Sequence, residues 1–343
     1  MRPVAVIYAR ELMELHTLGV NGGYTQADVT QVARILTGWT VERPVRGGGF
    51  RFDPNRHEPG TKKVLGKAFG SRFSADPADG EQEGRALLHM LATRPVTARF
   101  ISRKLAIRFV SDDPPPTLVN RLAKSYLSSH GDIATVLRTL FHSPEFWAPQ
   151  TVHAKVKTPI EFVVSAVRAS DASIDTAQPN LQPLANALRE LGMPLYGAVP
   201  PTGYKWEAAD WVSTGALVAR MNFALALAAN RLPGITVNWS SQINGDTTSS
   251  LNPENEELRL ESLLLAAPVT DSTRTAVLQQ FAAQATTQPV AHVPAPPSQP
   301  TPQAVPISTR PMATPAHANP SALEREDQSL AGLLLGSPEF QRR

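Results

Sequence analysis

The spacing of apolar residues along this chain predicts helices over most of its length. Within residues 95–110, apolar side chains recur at intervals of three or four residues and form one stripe, at Ala98, Ile101, Leu105 and Phe109. Similar patterns, bounded by capping residues, Gly or Pro, predict helices over 117–128, 132–142, 158–169 and 214–231. The last of these is apolar on most sides, which indicates a central helix buried by several neighbours.

Strand signals are few. Residues 49–53 and 62–65 have strand character, and the Pro/Asn/Gly-containing loop between them predicts that they pair as one small hairpin. The fold class predicted from the whole pattern is mainly α: a multi-helix bundle-like domain with at most a small β-hairpin.

Proline is concentrated near the end of the chain, where ten of the 31 prolines fall between Pro289 and Pro320. This composition neither continues a helix nor buries a periodic apolar face. The sequence therefore predicts a helical domain over 1–286, with a division into 1–150 and 151–286 as an alternative. It also predicts a disordered Pro-rich linker over 287–320, followed by a C-terminal helix over 321–343 that packs back on the domain. A Pro-rich ligand for an aromatic groove is the other use of such a segment.

Composition excludes several classes of protein. The 33 Lys and Arg residues against 30 Asp and Glu leave a net charge of +3, so the chain is not a globally polybasic binder. Five cations between residues 94 and 108 divide between the two flanks of an apolar stripe, and we expect no nucleic-acid partner. The absence of Cys excludes thiolate metal sites and cysteine nucleophiles. No secretory signal and no apolar run long enough to span a membrane are visible.

One acidic residue near the start falls among apolar neighbours in helical projection. At 100° per residue, Glu11 shares a face with Ile7, Tyr8, Leu12, Leu15 and Leu18. A carboxylate buried on that face must be paired, protonated or bound to a metal, because burying a lone charge is costly. A divalent metal is therefore a candidate cofactor, and its candidate ligands are Glu11, Glu14, His16 and the loop residue His57.

A structural ion pair is the alternative for Glu11. Candidate basic partners are Arg34, Arg99 and Arg103. The spacing of two carboxylates three residues apart does not by itself separate a metal site from such a pair, so both interpretations stay open.

Several segments together resemble the bacterial family catalogued as domain of unknown function 1800 (DUF1800). The first is Ala-Arg-Glu-Leu-Met-Glu-Leu-His-Thr-Leu-Gly-Val over residues 9–20. The others are 23–26, 36–40, 98–101 with 104–105, 157–159 with 161–162, 201–203, 217–227 and 336–340. The resemblance covers nearly the whole chain except the Pro-rich insert, and the combination is specific.

The resemblance implies a largely helical protein, usually with a substantial region before the Ala-Arg-Glu-Leu segment and often with an export signal. Because this chain starts almost at that segment, we expect it to be truncated at its amino end. Its compartment is unknown from the residues, although the resemblance suggests an exported or periplasmic protein. The family pattern around His57 is His-Asp-x-Gly-x-Lys, and here Glu58 is one methylene longer than the Asp, which argues against a tightly positioned role for that acid.

Two hypotheses of function follow. In the first, the protein is an exported or envelope-associated helical partner or scaffold. The resemblance implies a sulfatase-like exported protein as candidate partner, since family members are often encoded beside one. In the second, it is a metal-assisted hydrolase or related enzyme with a Glu/His site. The sequence contains no complete catalytic signature, so it leaves open whether the protein is an enzyme.

Overall fold

The computed structural model describes residues 3–42, 45, 47–70, 77–175, 179–200, 202–239, 252–286 and 322–343. It divides into two compact units, one formed by residues 1–155 with 200–207 and the other by 156–199 with 208–343. The described residues contain twelve α-helices and six strands of two or three residues, which confirms the prediction of a mainly α fold. The segment predicted as a linker, 287–320, lies outside the described residues.

The described part of the first unit contains six α-helices, a π-helical segment, a short 3₁₀ turn at Pro54–Arg56 and two strand pairs. The helices are α1 (Pro3–Glu11), α2 (Gln26–Ile35), α3 (Pro77–Ala92), α4 (Pro95–Phe109), α5 (Pro116–Ser128) and α6 (Ile133–Phe141), and the π-helical segment is Leu12–Thr17. The strands are β1 (Trp39–Val41), β2 (Phe50–Phe52), β3 (Lys62–Val64) and β4 (Lys67–Phe69). One apolar core lies among α1, α2, α3 and β3, and a second lies among α4, α5 and α6.

The predicted hairpin is wrong in its pairing. β2 pairs with β1, and β3 pairs with β4, each in an antiparallel arrangement. Leu65 and Gly66, between β3 and β4, have φ angles of 48° and 85°. A two-residue hairpin turn whose twist matches that of the strands requires positive φ at both residues. Leu65 and Gly66 meet this requirement, so β3 pairs with β4 next to it in the chain and not with the more distant β2.

The start of α2 agrees with the chemistry of its sequence. Thr25 and Asp28 form a capping box in which each side chain accepts a hydrogen bond from the other residue's backbone N–H. Asp28 also accepts from the Leu65 backbone N–H at 2.7 Å, which ties the β3–β4 turn to the helix. These hydrogen bonds to the charged form lower the pKa of Asp28 despite the opposing effect of its burial.

The second unit contains α7 (Pro159–Ala169), α8 (Gln182–Glu190), α9 (Thr214–Ala228), α10 (Pro253–Leu264), α11 (Asp271–Thr286) and α12 (Ala322–Leu335). Strands β5 (Ser173–Ile174) and β6 (Ile235–Thr236) pair antiparallel. Helix α12 packs closely on α9, because a Cβ at Gly332 would lie only 2.8 Å from Leu225 Cδ2. Helix α9 is buried mainly in its C-terminal half, whereas Leu217 and Val218 near its start are exposed. Among the described residues, no helix combines the length and apolarity that crossing a bilayer requires.

Candidate functional site

The apolar face predicted around Glu11 is only partly formed. Ile7 and Tyr8 are each 58% exposed, whereas Leu12 and Leu18 are buried. The reason is the π-helical segment that follows α1, where the Leu18 backbone N–H donates to the Met13 carbonyl over a wider turn. In a π-helical turn, successive residues are separated by less than 100° around the helix axis. Residues of α1 and of the π-helical segment that share a face in a 100° projection therefore do not share a face in the structure.

The structure does not bring the predicted acidic residues together with the predicted arginines. Glu11 is partly exposed, and among the described residues none of the three candidate arginines pairs with it. Arg34 instead binds Glu58, and Arg103 lies 3.7 Å from Asp113. Arg99 is exposed. Within the described part of the chain, Arg34 and Arg103 thus contact acids other than Glu11.

The four candidate metal ligands also lie in different environments. The Glu14 carboxylate interacts with the Tyr24 hydroxyl. Burial is the main cause that raises the pKa of Tyr24, and the Glu14 carboxylate raises it further. His16 is exposed on the π-helical segment, and His57 lies against β3 and α3. Within the described ranges no three His, Asp or Glu side chains form a group that could hold a metal. These residues do not assemble the predicted metal centre.

His57 belongs to a different polar cluster, the buried trio of His57, Lys62 and Glu83. Lys62 Nζ donates to Glu83 Oε2 at 2.8 Å and lies 3.2 Å from His57 Nε2. The Lys62 side chain is fully buried, and those of His57 and Glu83 are 11% and 10% exposed. A buried cation is thus paired with one carboxylate and one imidazole.

The partners of His57 determine its tautomer. Nδ1 lies 2.8 Å from the Thr37 carbonyl, which can only accept, so Nδ1 carries the proton. Nε2 lies 3.2 Å from Lys62 Nζ and 3.5 Å from Glu83 Oε2. Both ring nitrogens therefore face polar partners, which hold the imidazole in one orientation.

Close helix approach encloses the trio. A Cβ at Gly80 in α3 would lie 2.6 Å from Phe52 Cζ and 2.8 Å from His57 Cδ2. Gly38, with a φ of 85°, likewise leaves no room for a side chain beside Phe52 and His57. Glycine at these positions lets α3 and the loop pack directly on the imidazole.

A cleft of about 390 Å³ adjoins this region of the first unit. Its lining comprises residues 36–40 with Ala5, Arg56 and Glu58. Thr37 crosslinks one wall, because its hydroxyl donates to the Arg34 carbonyl and accepts from the Glu58 backbone N–H. Arg34 Nε donates to Glu58 Oε1 at 2.6 Å, so the polar groups along the cleft are largely bound to one another.

Lys62 and Glu83 were not among the predicted site residues, although the sequence contained a signal for each. Lys62 is two residues before Val64 on a strand, so alternation places the two side chains on the same buried face. Glu83 precedes the buried Leu87 by four residues on α3, which places both on one helix face. A basic and an acidic residue on two buried faces indicate a buried pair.

A second feature of the first unit is a row of aromatic rings that ends at the surface. Phe109, Phe141, Phe146 and Trp147 contact one another in sequence, edge to face, with centroid separations of 5.3, 5.1 and 5.1 Å. Trp147 is 68% exposed, yet its Nε1 donates to the Phe141 carbonyl at 2.8 Å. A large aromatic side chain is thus held in one orientation facing solvent.

The turn that carries Trp147 is braced by an ion pair. Both carboxylate oxygens of Glu145 accept from Arg121, at 2.7 and 3.1 Å. The hydrogen bonds from Arg121 hold the pKa of the Glu145 carboxyl below its usual range. The bidentate geometry restricts the turn and therefore the tryptophan beside it.

Comparison with known proteins identifies one family. The family described as "Protein of unknown function (DUF1800)" matches residues 8–342, nearly the whole chain. No curated protein and no solved structure matches this chain.

Proposed function

The chain belongs to the DUF1800 family, and from this premise we propose that it is an exported or envelope-associated partner protein that acts by binding another exported protein. The observation that carries the proposal is the orientation of Trp147, which is 68% exposed and hydrogen-bonded to the Phe141 carbonyl. Aromatic anchors with little conformational freedom to lose are the side chains that dominate binding at protein interfaces.

The polar chemistry of the first unit supports binding more than catalysis. The groups of the trio are engaged with each other or with backbone, and the described residues contain no group that could hold a metal. A metal-assisted hydrolase built on Glu11, Glu14, His16 and His57 therefore gains no support from their placement.

A sulfatase-like exported protein is the partner that the family resemblance implies. An exposed indole, two residues along the chain from the ion-paired Glu145, offers such a protein an apolar anchor close to charged groups. Export is proposed on the resemblance alone, because relatives often carry an export signal.

The experiment is affinity purification of the full chain from its native host, with Trp147→Ala as the test variant. We expect the sulfatase-like protein to co-purify with the unaltered chain and to fall at least about tenfold in the variant, as expected for loss of an anchor. Tyr196→Ala is the matched control, because Tyr196 is a fully exposed aromatic residue in the second unit.

Two results would contradict the proposal. One is equal recovery of the partner by Trp147→Ala and by the unaltered chain. The other is recovery of the unaltered protein from its host only as a free cytosolic monomer. Circular dichroism of each variant verifies that the helices are intact.

A further inference from the structure

The second unit contains a buried arginine whose charge has no acidic partner among the described residues. Arg220, on α9, is 1% exposed. Its Nη2 donates to the Lys157 carbonyl at 2.8 Å, whereas Nε and Nη1 have no hydrogen-bond partner. Unsatisfied buried donors are costly, more so when they carry charge, so these two nitrogens require an explanation.

Aromatic contact does not satisfy these donors. The Arg220 Cζ lies 5.1 Å from the centroid of the Phe162 ring, within the range of a cation–π contact. The ring face attracts the positive charge but supplies no lone pair in the plane of the guanidinium. Burial lowers the pKa of Arg220 to about 10, so the group remains charged at neutral pH.

A second cation lies beside the first. Lys157 Nζ lies 3.8 Å from the centroid of the Phe340 ring. Burial, with a further contribution from Arg220, lowers the pKa of Lys157 to about 8, while Glu161 acts in the opposite direction. A buried and a partly buried cation that repel each other form a region of positive potential.

Glu161, the acid that acts on Lys157, is occupied by other groups. Glu161 Oε2 accepts from the backbone N–H and the hydroxyl of Thr158, at 2.9 and 3.0 Å, as the capping box of α7. Its Oε1 lies 3.3 Å from Arg343 Nε. Among the hydrogen bonds of the described residues, Glu161 therefore does not supply an acceptor to Nε or Nη1 of Arg220.

We propose that Arg220 and Lys157 form a binding site for an oxyanion, namely a carboxylate or phosphate group of a ligand. Oxyanions provide the in-plane lone pairs that the free guanidinium nitrogens need, and they neutralise both cations. Lys157 is partly exposed while Arg220 is not, so Lys157 is the one of the two cations that solvent and a dissolved anion can reach directly. The site lies wholly within the second unit and is independent of the partner-binding role proposed for Trp147.

The test is calorimetric titration of the full chain with inorganic phosphate and, separately, with succinate, against chloride at equal ionic strength. We expect saturable binding of at least one oxyanion and a matching rise in the thermal unfolding midpoint. Phosphate and succinate distinguish the two ligand chemistries. Binding of neither above the chloride control would overturn the proposal.

Three variants assign the binding to this site. Arg220→Met removes the buried donors, and Lys157→Gln removes the partly exposed cation and serves if the first variant fails to fold. We expect Lys157→Gln to weaken binding about tenfold, the scale of one charge-assisted hydrogen bond, and Arg220→Met to abolish it. Arg168→Met, an exposed position on α7, is the control and should bind like the unaltered chain.

The pH dependence gives a second readout. Among the described residues, the charged groups that act on the Lys157 ammonium are Glu161 and Arg220, and Glu161 also contacts Arg343. An anion favours protonated Lys157, so affinity should fall as pH rises from 7 to 9, through the pKa of about 8. Lys157→Gln should remove this fall. Equal pH profiles in the two proteins, or Arg220→Met binding like the unaltered chain, would overturn the proposal.

Discussion

Replacing Lys62 by methionine should destabilise the first unit strongly. The substitution keeps the length of the side chain and removes the ammonium group that donates to Glu83 at 2.8 Å and contacts His57 at 3.2 Å. The carboxylate of Glu83, 10% exposed, would remain buried without a cation. Breaking a buried pair by removing one partner is more damaging than replacing both.

The magnitude follows from the geometry. At 2.8 Å and an effective dielectric constant of about 20, the gross attraction between the Lys62 and Glu83 charges is about 6 kcal/mol. Relaxation and partial hydration of the stranded carboxylate reduce this, and measured losses for broken buried pairs are about 3–5 kcal/mol. We therefore expect Lys62→Met to lower the free energy of unfolding by about 3–5 kcal/mol.

A double-mutant cycle separates the pair from general packing effects. Glu83→Gln in the Lys62→Met background removes the stranded charge. It also places an amide donor near His57 Nε2, because in the unaltered protein that nitrogen lies 3.5 Å from Glu83 Oε2. We expect the double variant to be about 2 kcal/mol more stable than Lys62→Met alone. Lys63→Met, on the exposed face of the same strand, is the matched control and should change stability by less than about 0.5 kcal/mol.

The assay is urea unfolding combined with hydrogen-exchange mass spectrometry on peptides from residues 50–92, since a chain of two units need not unfold in one transition. The loss should be concentrated in those peptides. The cycle also includes Glu83→Gln alone. The assignment of Lys62 as a buried, paired cation would be refuted if the stability losses of Lys62→Met and Glu83→Gln simply added in the double variant. A stability loss in Lys62→Met no larger than that in Lys63→Met would refute it as well.

Two further predictions concern helix packing and pH. Gly84→Ala should cost about 1–3 kcal/mol, because its Cβ would lie 2.5 Å from Trp39 Cε2, whereas Gly215→Ala, with open space around it, should be neutral or stabilising by up to about 1 kcal/mol. Denaturant unfolding of both variants checks this, and equal effects would contradict it. Burial and the neighbouring Glu256 raise the pKa of Asp327 to about 7, so its contribution to stability is present below the ordinary pKa of 3.8 and is lost as pH rises towards 7. The stability difference between the unaltered chain and Asp327→Asn should therefore fall by about 1–3 kcal/mol from pH 5 to pH 8, and a flat difference across that range would show that Asp327 does not titrate there.

The local elements were predictable because their signals are local. The apolar period of α4, the capping box of Thr25 and Asp28, and the Thr158-Pro159 start of α7 all depend on residues within a few positions of each other. Such patterns act through the backbone of one segment, so no knowledge of distant neighbours is needed. The mainly α class and the family resemblance followed from the same information.

The sites were decided by tertiary structure, for two reasons. A π-helical segment over Leu12–Thr17, invisible to a 100° projection, breaks the helical register on which the predicted face depended, and Tyr8 and Glu11 are exposed and partly exposed. Ionic partners depend on long-range packing as well: Glu83 is 21 residues from Lys62, and Arg220 lies 63 residues from the Lys157 carbonyl that it contacts. The amino-acid order determines which side chains are charged, but only the packing of helices and strands determines which charges lose water and which of them then find a partner.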